Sequence, residues 1–162
     1  MKLSHVDASG RARMVDVGDK PITVRTATAR GAIRMSAAAY RLAAEQTVAK
    51  GDVLAVSEVA GTLAAKRTAE LIPLCHPVGL DHVEVEATLD ESLPGVQVRA
   101  VAKAVGRTGV EMEALTAVSV TLLTVYDMLK AADRGMEIEA VRLVEKTGGT
   151  RGDWRRSATR ET

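Results

Sequence analysis

Asp127 and Lys130 stand three residues apart in a stretch of helix-forming composition, so a carboxylate and an ammonium share one helical face. By spacing alone the commoner outcome of that pattern is a surface ion pair worth about 0.2–0.5 kcal/mol. The other reading is an acid and a base that tune each other beside one substrate. Their place just beyond the apolar run Ala114 to Tyr126 predicts partial burial, which favours the second reading. Glu111 and Glu113 lie on the first turn of the same predicted helix, and taken alone they read as acids stabilising the helix dipole. Glu113 and Asp127 fall on nearly one stripe but fourteen positions apart, or about 21 Å at 1.5 Å per residue. One small ligand cannot touch both groups of a single chain. Either they serve different sites, or a pocket combines the two ends of this helix from two subunits.

His76 sits in Leu71-Ile72-Pro73-Leu74-Cys75-His76-Pro77, whose two prolines exclude a helix and stiffen an extended loop. A lone histidine is most often satisfied by a loop hydrogen bond, but rigid loops are also where catalytic groups are presented. A Cys75–His76 nucleophile pair is disfavoured, because neighbours on an extended loop point apart. A metal site from Cys75, His76 and His82 is disfavoured too, and no metal is assigned. Neither GxxxxGK[ST] nor GxGxxG occurs, so any phosphate must be held by separate cations. Lys50 beside a glycine, Lys66-Arg67 near a helix end, Lys130, and Lys146 ahead of two glycines are the candidates, each of which alone is ordinarily a solvated charge.

The elements that must position these groups follow from pattern. Met14 to Val17 and Ile22 to Met35 read as two extended segments joined by Gly18-Asp19-Lys20-Pro21. Ser36 caps a helix over Ala37 to Ala49, with Gly51 as its left-handed stop, and Asp52 caps a second helix that ends before Pro73. Val83, Val85, Ala87 and Leu89 alternate with polar residues, as do Val96, Val98, Ala100 and Ala102, giving a hairpin turned at Pro94-Gly95. A long helix runs from Val110 to Ala132, and Ile138, Ala140 and Leu143 mark a last strand. The order predicts an α+β fold, a ferredoxin-like sandwich with helices on one face of an antiparallel sheet. The other face of such a sheet needs a cover, which a second subunit would supply. Residues 1–146 are read as one catalytic domain and 147–162 as a flexible basic tail.

A chain of 162 residues suits one domain with a real core. The one cysteine fits a reducing compartment, and the first seven residues lack the apolar stretch of a signal peptide, so a cytoplasmic location is expected. The apolar run is thirteen residues long, against the roughly 20 that span a bilayer, and it is read as a buried helix with no membrane partner. Net charge is +1, of which the segment from Thr147 holds +2, leaving −1 for the body. There is no global field for nucleic acid, and with Tyr40, Tyr126 and Trp154 as the only aromatics there is no stacking platform. An anionic ligand must therefore meet a local cluster of cations.

These segments together resemble one family. The strings MVDV at Met14 to Val17, KGDV at Lys50 to Val53, AAKRT at Ala64 to Thr68, LIPLCHP at Leu71 to Pro77, TGVEMEALTA at Thr108 to Ala117, YDM at Tyr126 to Met128 and GG at Gly148-Gly149 are similar to those of the cyclic pyranopterin monophosphate synthase family of molybdenum cofactor biosynthesis. The resemblance covers roughly Leu3 to Asp153, and LIPLCHP and TGVEMEALTA are long and unusual. It implies conversion of a GTP-derived cyclic dihydronucleotide triphosphate into cyclic pyranopterin monophosphate with release of diphosphate. It also implies a ferredoxin-like fold and a homohexamer assembled as a trimer of dimers, with the pocket at a subunit interface. Carried over by motif, Leu74, Cys75, His76, Met112 and Glu113 contact substrate. Asp127 leads the catalysis, while Lys50, Lys66 and Lys130 serve the triphosphate or proton transfer, Arg25 joins them, and Glu111 and Lys146 fall in the same set. No cofactor is required, although magnesium is compatible with a triphosphate.

Two rivals differ in class. An oligomeric regulatory module that binds a small ligand without chemistry shares this fold type. An RNA-binding sheet shares it as well, but lacks the aromatics to stack bases.

Overall fold

The computed structural model describes residue 6 and residues 9–45 and 51–157. Strand β1 spans Thr23–Arg34 and is followed by helices α1 (Ala37–Ala44), α2 (Val53–Lys66) and the single turn α3 (Thr68–Leu71). Strands β2 (His82–Asp90) and β3 (Gly95–Gly106) form the expected hairpin, α4 covers Glu111–Leu129, and β4 (Glu137–Thr147) and β5 (Trp154–Arg155) complete the chain. The sheet order is β2-β3-β1-β4-β5 with every neighbour antiparallel, the arrangement expected of a ferredoxin-like sandwich.

Both long helices lie on one face, α4 over β1 and its two neighbours and α2 beside it over β2. The strand residues under them are small: Ala27 and Ala29 on β1, and Ala100, Ala102 and Ala104 on β3, are fully buried. In a sequence without phenylalanine, such alanines let the helices come close, and Val118, Leu122, Val125 and Leu129 of α4 fill the gap. The tightest point is Gly61 of α2, where an added Cβ would lie 2.1 Å from Thr121 Oγ1 and 2.9 Å from the Ala117 carbonyl of α4.

The caps act as the sequence predicts. The Ser36 side chain accepts from the Ala39 N–H at 3.3 Å, and Asp52 Oδ1 accepts from the N–H groups of Leu54 and Ala55 at 3.0 Å. Helix α1 is shorter than expected, ending at Ala44 with Glu45 as its cap. Residues 46–50, which hold the rest of that predicted helix, lie outside the described residues. Met14 to Val17 forms no strand, and the Val15 carbonyl meets the His76 ring instead. Part of the segment read as a tail is tied to the sheet: Trp154 and Arg155 pair with Lys146 and Glu145 of β4.

Among the described residues, neither long helix covers the far face of the sheet. Val24 and Val105, partners in register there, are each more than half exposed, and Arg99 meets Glu84 at 3.6 Å across the β2–β3 ladder. Helix α4 is long and apolar enough to match a membrane span by length and composition, but it is packed against α2 and the sheet.

Candidate active site

A cleft opens where the N-terminal end of α4 meets the C-terminal ends of β3 and β4. It has two lobes that share His76, Thr108, Gly109 and Glu111. The larger, about 240 Å³, is lined by the cations Lys20, Arg25, Arg107, Lys146 and Arg151, with Glu111 as its one carboxylate among the described residues. The smaller, about 210 Å³, is lined by Leu74, Cys75, Met112 and Glu113 besides the shared residues.

Each group is placed by its local structure. Arg25 is on the helix-facing side of β1 and only 8% exposed, yet its Nη2 is buried without a hydrogen-bond partner among the described residues. Its Nε donates to the Gly106 carbonyl at 3.3 Å, which fixes the guanidinium beside the end of β3. Lys146, near the end of β4, approaches Glu111 on the first turn of α4 at 3.5 Å. His76 Nε2 lies 2.7 Å from the Val15 carbonyl oxygen. A carbonyl only accepts, so Nε2 carries the proton, and in the neutral ring Nδ1 keeps the lone pair. That bond also explains the role of the irregular segment around Val15, which closes one wall of the cleft. Helix α4 begins at Val110 without a side-chain cap, so its first N–H groups face the same region.

The acids here are perturbed by their surroundings. Glu113 is buried, and loss of solvent, helped by the nearby Glu111 charge, raises its carboxyl above the ordinary value. Burial raises the Cys75 thiol as well, with Glu113 and Glu111 adding to the effect. A thiol held protonated is a poor nucleophile, which agrees with reading Cys75 as a contact residue.

Of the residues singled out by sequence, the cleft brings together Arg25, Leu74, Cys75, His76, Glu111, Met112, Glu113 and Lys146. Asp127 and Lys130 do pair, at 2.5 Å, but at the opposite end of α4, about 24 Å from Glu111 at 1.5 Å per residue. The expected partial burial of that pair is corrected: the side chains are 55% and 52% exposed in the single chain, because α4 ends there and leaves them at its last turn. Lys66 lines a separate open groove between α2 and β2, where His82 also lies. Lys50 is outside the described residues. Among the described residues no group of three His, Cys, Asp or Glu side chains is placed to hold a metal. Sequence spacing did not point to Lys20, Arg107 or Arg151. The signals were present, in the turn Gly18-Asp19-Lys20-Pro21, in the Gly106-to-Gly109 loop ahead of α4, and in the basic run after the double glycine.

A cationic chamber joined to a more acidic, partly apolar one suits an anionic ligand with a polar ring system, and the chain is similar to known proteins along nearly its whole length. The model of the MoaC family matches residues 14–149. The chain belongs to the MoaC family. Relatives in that family include the cyclic pyranopterin monophosphate synthase of Brucella ovis, 58% identical over 153 residues that cover 94% of this chain and 93% of the relative. Another is the cyclic pyranopterin monophosphate synthase of Cereibacter sphaeroides, 57% identical over 156 residues covering 96% and 98%.

Proposed function

We propose that this chain is a cyclic pyranopterin monophosphate synthase that acts in molybdenum cofactor biosynthesis. It converts (8S)-3',8-cyclo-7,8-dihydroguanosine 5'-triphosphate to cyclic pyranopterin monophosphate and diphosphate. The observation that carries the reading is the two-lobed cleft, in a chain that matches synthases of that name along nearly its whole length. The triphosphate occupies the cationic lobe, where Lys146 and Arg25, whose Nη2 has no partner among the described residues, neutralise it. The guanine-derived ring occupies the lobe of Leu74, Cys75, Met112 and Glu113, with Glu113 as acceptor for ring N–H groups.

In the reaction a sugar hydroxyl attacks the α-phosphorus, the bond to the bridging oxygen of the β-phosphate breaks, and diphosphate leaves. Cations preorganised around that oxygen stabilise the charge developing on it. Asp127, adjusted by Lys130 and joined by Lys50, moves the protons of ring opening and pyran closure. Since Asp127 is about 24 Å along α4 from Glu111, this division of labour requires Asp127 of one subunit to face the cleft of another. That requirement supports a homo-oligomer, a hexamer built as a trimer of dimers, with Lys66 also delivered across an interface. The uncovered sheet face and the exposed Val59 and Leu63 on α2 offer surface for such contacts. No cofactor is part of this reading, and magnesium is compatible with the triphosphate as a companion of the substrate. The cytoplasm is the compartment that fits a GTP-derived substrate and a reduced Cys75.

Incubation with the purified cyclic nucleotide tests the proposal. The synthase releases one diphosphate per pterin formed, whereas binding without release marks the regulatory module and ends the enzymatic reading.

A further inference from the structure

The chain after β4 is shaped around Arg25. Gly148 and Gly149 both have left-handed backbones, φ +83° and +84°. A Cβ at Gly148 would lie 2.1 Å from the Val24 carbonyl oxygen, and one at Gly149 would lie 2.1 Å from Arg25 Nη1. Only glycine allows the main chain to lie this close to the guanidinium. The turn is then closed from both sides. Asp153 Oδ1 accepts from the Gly148 N–H at 2.9 Å, and the Gly152 N–H donates to the Gly149 carbonyl at 3.1 Å.

The far end of the loop is anchored on β4. Beyond the β5 pairing, the Arg156 N–H donates to the Val144 carbonyl at 2.8 Å, its Nε donates to the Leu143 carbonyl at 2.9 Å, and Arg155 pairs with Glu145 at 3.2 Å. Loop 148–153 is therefore a closed hairpin tip on the edge of the sheet, and its middle residue Arg151 lines the cationic lobe beside Arg25. The buried Nη2 of Arg25 has no partner among the described residues, and beside it the loop delivers a second guanidinium to the same lobe.

We propose that this hairpin is part of the polyphosphate site, with Arg151 as a further phosphate-binding residue and Asp153 as the positioning residue that holds the glycine turn against Arg25. The inference rests on the polyphosphate reading of the cleft and extends it to a segment whose composition suggested only a basic tail. The ligand class is an inorganic or nucleotide polyphosphate, bound through charge-assisted hydrogen bonds from guanidinium groups.

The test is calorimetric binding of inorganic tripolyphosphate to the full-length assembled protein, with diphosphate release from the cyclic nucleotide followed in the same preparations. Arg151→Ala weakens tripolyphosphate about tenfold, the loss of one charge-assisted contact. Asp153→Ala does the same and raises KM more than it lowers kcat, while Asp153→Asn, which keeps an oxygen for the Gly148 N–H, restores binding. Arg41→Ala, an equal charge change on exposed α1, leaves the Kd unaltered. If Asp153→Ala does not fold, the exposed Arg151 decides alone. A Kd within twofold of the wild type for Arg151→Ala, or no tripolyphosphate binding by the wild type, overturns the inference while diphosphate release continues. Absence of diphosphate release from the wild type removes the underlying function instead.

Discussion

The ammonium of Lys146 lies 3.5 Å from the carboxylate of Glu111, tying the end of β4 to the first turn of α4 within the cleft. Both side chains are less than one-third exposed, and Glu111 is the only carboxylate lining the cationic lobe among the described residues. Glu111 therefore holds Lys146 in place and at the same time moderates the attraction for phosphates. Glu111→Gln should tighten diphosphate binding about three- to tenfold and slow turnover through product release. Lys146→Met should weaken diphosphate by about tenfold or more. Product-inhibition constants measured at one fixed ionic strength check both signs.

The distance along α4 makes a prediction about assembly. Asp127→Asn and Lys146→Met should each be inactive alone while remaining folded, since the Asp127–Lys130 pair is half exposed and contributes only about 0.2–0.5 kcal/mol. If the cleft of one subunit takes Asp127 from another, mixed oligomers regain active pockets, about a quarter of the total for random pairing of the two variants. Diphosphate release from verified mixtures reads this out. Silence in such mixtures would place the acid and the cleft in separate sites.

The buried Glu113 gives a pH signature. Its carboxyl is raised by loss of solvent and by Glu111, so the folded state holds this proton more tightly than the unfolded chain does. The stability linked to that proton is present below the ordinary carboxylate value and is lost as pH rises through the raised one. Glu113→Gln resembles the protonated form. It should melt above the wild type at pH 8, with the gap closing toward pH 4, and it should lose affinity for the cyclic nucleotide. Melting curves across that range carry the test, and a gap that widens on acidification would contradict the assignment.

Packing between the helices predicts one stability effect far from the cleft. At Gly61 an added methyl meets Thr121 and the Ala117 carbonyl well inside contact distance. Thr121 is fully buried and its hydroxyl already donates to Ala117 at 2.8 Å, so it has nowhere to turn. Gly61→Ala should cost about 1–3 kcal/mol despite the better helix propensity of alanine. Urea unfolding of the variant, at constant protein concentration, gives the number.

Local pattern carried most of the architecture. Alternation in Val83 to Leu89 and Val96 to Ala102, the caps Ser36 and Asp52, and the long apolar helix all reappear with small changes in boundary. Those signals depend on neighbours within a few residues, which is why composition and spacing were enough. The same holds for the family, whose motifs are contiguous strings; the residues that the resemblance carried over, Leu74, Cys75, His76, Met112 and Glu113, line one lobe of the cleft.

The tertiary structure decided what depends on separated segments meeting. Lys20, Arg25, Arg107, Lys146 and Arg151 come from three separated stretches of the chain, and only folding brings them to one lobe. The part Met14 to Val17 plays depended on His76 meeting the Val15 carbonyl across the chain, and the exposure of Asp127 on where α4 ends. The attachment of Trp154 and Arg155 depended on the free edge of β4. Pair energies in water fall off within a few ångströms, so a charge acquires its role only from the groups that folding brings beside it.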